Sequence, residues 1–142
     1  LCDTAKTVEI LRRSPEYARI VDEEEAVIIT ELGYVSRWLE QWAPESLKFR
    51  LADEVHPDEF SPEQKEYLRR LADDIAGAPA EADGNWFHQA IYTYKENGLL
   101  PPRELFTTIY RVLIGKDSGP RAGWFLSILP RDWLVERLRL VK

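Results

Sequence analysis

Leu105-Phe106-Thr107-Thr108-Ile109-Tyr110-Arg111-Val112-Leu113-Ile114-Gly115-Lys116-Asp117-Ser118-Gly119-Pro120-Arg121-Ala122-Gly123-Trp124-Phe125-Leu126-Ser127-Ile128-Leu129 divides into two apolar helices about a six-residue basic elbow, Gly115 to Pro120. Leu105, Phe106, Ile109, Tyr110, Val112 and Leu113 recur at helical spacing, and Pro101-Pro102 opens that run. Gly115 ends it, because glycine tolerates the positive φ common at a helix C-terminus. Gly119-Pro120 then turns the chain into a helix with Trp124, Phe125, Ile128 and Leu129, which Pro130 breaks. Lys116 and Arg121 flank the bend, and Arg111 lies one helical turn before it. Free backbone N–H groups at a helix start, with a guanidinium fork beside them, suit a phosphate. The same residues suit a tight interhelical turn whose glycines serve only sterically; the two readings are compatible and both stay open. Of the aromatics nearby, Tyr110 and Phe125 fit the buried face. Trp124, next to Gly123 and the elbow, is the candidate for stacking on an unpaired base.

The rest of the chain is punctuated in the same helical manner. Thr7 to Arg13 reads as a short helix ended by Ser14-Pro15, with Ser14 capping a second short helix to Val21. Asp22 is placed to cap a longer helix that opens on Glu23-Glu24-Glu25, where carboxylates favour the positive end of the helix dipole, and runs to about Trp42. Trp38 and Trp42, four apart, are read as a core pair. Ala43-Pro44 stops this helix. In the connector 45–60, Leu47, Phe49 and Leu51 alternate with Lys48 and Arg50, and His56 reads as a surface residue. Ser61-Pro62-Glu63-Gln64 has capping-box spacing ahead of Tyr67, Leu68, Leu71, Ala72 and Ile75. A helix from Asn85 or Trp86 to Asn97 buries Trp86, Phe87, Ile91 and Tyr94 and ends at Gly98. Asp132 to Leu140 closes the chain, with Trp133, Leu134 and Leu138 inward. The fold class is therefore all-α, a multi-helical array of about seven or eight short helices in two subclusters. Residues 1–76, with the extended connector, form one; 77–85 are a hinge; 86–142 form the other.

Composition narrows the function. Among 142 residues, 44% are apolar and 11% aromatic, enough for a core. No apolar run approaches membrane-spanning length. The start, Leu1-Cys2-Asp3-Thr4, carries neither an initiator Met nor a basic-then-apolar leader, the expectation for a fragment of a longer chain without a signal peptide. One cysteine, Cys2, makes neither an internal disulfide nor a zinc site and is read as a terminal thiol without a role, in a cytosolic (cytoplasmic) setting. The net charge of −6 divides into −10 over residues 1–85 and +4 over 86–142, an asymmetry that aims a polyanion at one end, although +4 alone is also an ordinary solvated face. Phosphate-binding loops and the Gly-x-Ser-x-Gly elbow are absent. His56 and His88, with one terminal cysteine, offer little for metal or thiol catalysis, and His88 reads as a packed residue. Acidic pairs such as Asp58-Glu59 and Asp73-Asp74 sit in exposed-looking surroundings. A binding role is favoured over independent catalysis.

The elbow Gly-Lys-x-x-Gly-Pro-Arg, preceded by Phe-x-x-Ile-Tyr-x-x-Leu-Ile, resembles the C-terminal signature of class I lysyl-tRNA synthetases. Arg37-Trp38-Leu39-Glu40-Gln41-Trp42-Ala43-Pro44-Glu45 is similar to that family's Trp-Leu-Glu-x-x-Ala-Pro-Glu segment. Leu47 to Leu51, Phe60 to Gln64 and Leu68 to Ala72 continue the likeness in order, over roughly residues 36–129. Leu129-Pro130-Arg131-Asp132-Trp133 departs from the family's Leu-Gly-x-Glu pattern. The family's His-Ile-Gly-His-like and Lys-Met-Ser-Lys-Ser-like ATP motifs do not occur. The resemblance therefore implies the C-terminal region, an α-helix cage that binds the anticodon arm of tRNA(Lys). An absent N-terminal catalytic domain of the parent chain would use ATP to charge that tRNA with lysine. No cofactor or metal is implied for this part. No base-reading residue transfers by motif, so the candidate tRNA-binding set is a physical one weighted to the basic end: Arg111, Lys116, Arg121, Trp124, Lys95 and Arg103. The competing readings are a helical protein–protein interaction module without nucleic-acid binding and, further off, a hydrolase using paired carboxylates.

Overall fold

Asp3 opens the first helix. Its side chain accepts from the Lys6 N–H at 3.1 Å and caps α1, Thr4–Arg13. The computed structural model describes residues 3–45 and 48–140, so the expectations for Cys2 and Leu47 lie outside the described residues. Among those described there are seven α-helices and no strand: α1; α2, Ala18–Trp42; α3, Pro62–Ala76; α4, Gly84–Glu96; α5, Pro102–Ile114; α6, Ala122–Ile128; and α7, Arg131–Arg139. A 3-10 turn spans Pro57–Glu59. The all-α expectation holds. Two compact units divide the chain, Leu1–Arg50 and Leu51–Lys142.

The first unit is α1 and α2. Ser14 ends α1 instead of starting the next helix: its N–H goes back to the Leu11 carbonyl, and its own carbonyl accepts from Tyr17 and Ala18. The expected break at Asp22 is a kink. Glu24 alone leaves helical geometry, at φ −130° and ψ 27°, within one 25-residue helix. The acidic run thus straddles the point where two helical stretches meet, two residues beyond the expected cap. Asp22 and Glu25 instead take the Arg12 guanidinium, at 3.3 and 3.0 Å, and tie α2 to α1. Val8 and Val21 are buried. Trp38 and Trp42 are not core residues: they are 54% and 72% exposed, on the same side of α2 as exposed Tyr34 and Val35. Their four-residue spacing is that of a helix face, and spacing does not reveal whether a face is covered.

The second unit follows the apolar pattern closely. Ser61 and Gln64 form the capping box of α3, and Tyr67, Leu68, Leu71, Ala72 and Ile75 are all buried. Helix α3 packs on α7, α4 on α6, and α3, α4 and α5 meet one another. Residues 77–85, read in the sequence as a hinge, lie inside this unit. Ala78 is buried there, and Arg131 donates to the carbonyls of Ala78 and Pro79 at 2.7 Å each. Tyr94 donates to Asp74 at 2.6 Å and meets Tyr67 edge-on, joining α4 to α3. Phe87, Ile91 and Tyr94 are buried as expected, whereas Trp86 and Trp133 are only half-buried; Arg137 lies 5.0 Å over the Trp133 ring. The Ala52 N–H reaches the Leu113 carbonyl at 2.7 Å and fastens the incoming connector to α5.

Helices α4 and α6 meet through glycine. A Cβ on Gly123 would lie 2.9 Å from the His88 Cβ and nearer still to the Gly84 carbonyl oxygen; one on Gly84 would meet the Trp124 ring at 2.5 Å. Backbone cannot yield as a flexible side-chain tip can. Gly123→Ala therefore lowers stability by about 1–3 kcal/mol. Gly33→Ala, in α2 with nothing within 4 Å of the added atom, raises it by about 0.5–1 kcal/mol. Urea unfolding followed by circular dichroism checks both; a Gly123→Ala chain as stable as the original overturns the close crossing.

Candidate functional site

The elbow is held by three local devices. Gly115 takes the left-handed conformation, φ 66° and ψ 23°, and its N–H returns to the Arg111 carbonyl at 3.1 Å, ending α5. Gly119 then passes so near α5 that a Cβ would lie 2.9 Å from both Ile114 and Tyr110. Finally the Tyr110 hydroxyl donates to the Pro120 carbonyl at 2.5 Å. The next helix starts two residues later than Pro120: Arg121, at φ −52° and ψ 112°, is the cap, and its carbonyl takes the first helical bond, from Phe125. Residues 115–119 and 121 are exposed.

The start of α6 differs from the expected anion cradle. Ala122 and Gly123 are buried, the latter against the α4 backbone, so the first turn of this short helix faces protein. Side chains, not its main-chain amides, are what the elbow presents to solvent.

Those side chains form two groups. Arg103 and Arg111 line a cleft of about 560 Å³ together with Phe106, Thr107, Tyr110, Asp117 and Ser118. The Arg111 Nε donates to Asp117 Oδ1 at 2.6 Å. This bond holds the Asp117 carboxyl below the usual carboxylate range, with Arg103 adding to the effect, and it raises the Arg111 pKa, helped by the fields of Glu59 and Glu104. Because the carboxyl's pKa is depressed, the pair persists at neutral pH and parts only on acidification through that lowered value. Lys95 lies 5.6 Å over the Tyr92 ring, and Tyr92 meets Phe106 edge-on at 5.9 Å, so aromatic contacts link Lys95 to the cleft. The second group is on the elbow and beyond it: exposed Lys116, exposed Arg121, and Trp124, whose ring covers Gly84 while half its surface stays open.

All six candidates thus belong to the second unit. Arg103 and Arg111 share one cleft, Lys95 reaches its edge through Tyr92, and Trp124 sits over the start of α4. Sequence reasoning did not pick out Tyr92, Phe106, Thr107, Asp117 or Ser118 for this site. The signal that could have found Thr107 and Phe106 was their i+4 and i+3 spacing from Arg103, which puts them on one helix face; Tyr92 is on another helix and carried no such signal. Among the described residues no group of three or more His, Cys, Asp or Glu side chains is placed to hold a metal ion, and no helix is long and apolar enough to cross a membrane.

Comparison with known proteins gives a consistent answer. No protein-family model matches the chain. It is 37% identical over 140 residues to a lysine–tRNA ligase of Thermoplasma acidophilum, covering 94% of this chain and 27% of that protein. It is 34% identical over 112 residues to the lysine–tRNA ligase of Methanosphaera stadtmanae (79% and 21%), and 33% over 154 to that of Methanosarcina barkeri (95% and 28%). The chain spans about a quarter of the length of the curated relatives it matches.

The elbow geometry carries its own test. Tyr110→Phe removes the bond to Pro120 without changing shape. It lowers stability by about 1 kcal/mol and speeds amide exchange across residues 116–121, with helicity intact. Unchanged exchange would show that the glycines alone shape the bend.

Proposed function

Because this chain belongs by sequence to the lysine–tRNA ligase family, of whose members it spans about a quarter, we propose that it is the C-terminal, anticodon-binding part of a class I enzyme. In this reading it holds the anticodon arm of tRNA(Lys) while a catalytic domain N-terminal to it activates lysine with ATP and transfers it to the tRNA. The observation that carries the proposal is the exposed elbow, bearing Lys116 and Arg121, beside a cleft that combines arginines with aromatic rings.

The chemistry is that of a loop-binding surface. Residues 86–142 carry a net charge of +4 and supply the cations that an approaching polyanion would meet, while the acidic residues 51–85 fold in the same unit. Lys116 and Arg121, exposed on either side of a bend, offer two cations to phosphates, and each such contact releases counterions. Arg111 offers its terminal nitrogens while its Nε is engaged by Asp117, which fixes the direction of the fork. Half-open Trp124 and Tyr92 provide ring faces for unpaired bases. No lysine or ATP chemistry is assigned to this chain; in the proposal its contribution to the parent enzyme is position, which brings the far end of the tRNA to a distant active site.

Filter binding of tRNA(Lys) across a salt series tests this. The original chain binds with a steep salt dependence. Lys116→Ala with Arg121→Ala weakens binding at least tenfold and makes the logarithmic salt slope shallower by about 0.9 for every phosphate no longer neutralised, while circular dichroism stays unchanged. Substituting the anticodon bases of the tRNA weakens binding by the original chain as well. Affinity indifferent to both changes overturns the proposal.

A further inference from the structure

Helix α4 carries a line of rings that the elbow does not account for. Gly84, His88 and Tyr92 are four residues apart, with Lys95 one turn further on, so they share one face of the helix. The Trp124 ring fills the first place on that face. A Cβ on Gly84 would lie 2.5 Å from Trp124 Cδ2 and 2.9 Å from both Cε2 and Cε3, the ring atoms bonded to it, which puts it directly over the plane of the indole. One face of the ring therefore rests on the Gly84 backbone, and the other belongs to the half of Trp124 that stays open. His88 fills the second place. Its Cβ is 2.9 Å from where a Cβ on Gly123 would be, next to Trp124. Its ring lies 4.5 Å from that of Tyr92, tilted by 49°. It is half-buried, and its ring nitrogens make no hydrogen bond among the described residues. Exposed Tyr92 fills the third place and meets Phe106, which lines the arginine cleft.

Spacing and chemistry select the occupant. Residues four apart are separated by about 6 Å along a helix, wider than the roughly 3.4 Å between stacked nucleotides, and so fit bases splayed apart on protein rings. A ring backed by main chain cannot turn away, so Trp124 is a platform set before any ligand arrives. Charge does not oppose a nucleic acid here. Between Asp83 and Glu96, α4 has no acidic residue. Asp83 itself accepts from the N–H groups of Asn85 and Trp86, at 3.0 and 2.9 Å. At the cleft end, Lys95, Arg103 and Arg111 share their surroundings with Asp117, Glu104 and Glu59. These charges nearly cancel, so ring surface is what distinguishes the track, and every base offers a π-face to it. A line one ring wide with unengaged imidazole nitrogens suits flat, hydrogen-bonding bases better than an apolar protein patch.

We propose that Trp124, His88 and Tyr92 form a stacking track for three consecutive unpaired nucleotides of an RNA loop, in which His88 reads a base edge through its ring nitrogens. The inference rests on RNA binding by this unit and adds where the bases lie; the elbow can hold phosphates without the track.

Anticodon stem-loops of tRNA(Lys), carrying 2-aminopurine at one loop position at a time, test this with the 142-residue chain. On binding, the fluorescence of the reporter falls about twofold or more at three consecutive positions, because a stacked base is quenched by the ring it meets. Reporter fluorescence unchanged at every loop position overturns the proposal, and salt-dependent binding through Lys116 and Arg121 is untouched by that result. This readout needs no altered protein, so a variant that fails to fold cannot decide it. Tyr92→Leu and His88→Ala each weaken stem-loop binding about fivefold more than they weaken binding of a loop-free duplex of equal charge. Equal weakening of the two RNAs overturns the track. In His88→Ala the affinity difference between the original loop and one substituted at the middle quenched position shrinks about fivefold; an undiminished difference removes His88 as a reader. Lys116→Ala with Arg121→Ala lowers affinity for both RNAs and leaves the quenching intact at saturating protein, so failure of the elbow and failure of the track are read separately.

Discussion

The backbone of Gly84 and the backbone of Gly123 touch, and the exposed corner of the molecule depends on that contact. With no Cβ on either residue, α6 lies directly on α4, its first turn buried and the Trp124 ring covering Gly84. The path from Ile114 to Ala122 then has fixed ends and few residues in which to turn. Gly115 makes the turn at positive φ, Gly119 clears the side of α5, and Tyr110 holds the Pro120 carbonyl. Lys116 and Arg121 face water because the backbone around them is committed to shaping the bend.

The same geometry alters what an anion would meet. A helix start with open amides attracts phosphate through its dipole, but here the start is packed away. What is left is a set of side chains with an internal restraint. Arg111 is bonded through one nitrogen to Asp117, and Arg103 contributes to the field at that carboxylate. A cation already paired to a carboxylate gains less from a phosphate than an unpaired one. It also loses less conformational freedom, because its guanidinium already points in one direction.

Much of the second unit was legible in the sequence because each signal there is local. The capping box at Ser61 and Gln64, the burial of Tyr67, Leu68, Leu71, Ala72 and Ile75, and the left-handed glycines 98 and 115 follow from spacing and backbone preference. The errors also share a cause. Ser14 and Asp22 look like N-caps, but they were used for ending α1 and for binding Arg12, since a cap residue acts only where the chain actually starts a helix. Trp38 and Trp42 have core spacing without a core. In the cleft, Arg103, Phe106 and Arg111 share one helix, while Tyr92 joins them from another and Asp117 from the bend, a juxtaposition that no one-dimensional pattern encodes.

Sequence alone determined the helical class, most helix ends in the second unit, the identity of its core, and the bend at Gly115–Pro120, because these depend on residues within a turn or two of one another. Tertiary structure alone decided which helices touch, that α6 begins buried against α4, that Arg111 is held by Asp117, and that Trp38 and Trp42 are exposed. Those outcomes depend on what lies across space from a residue, and a helix face looks the same in sequence whether it meets protein or water.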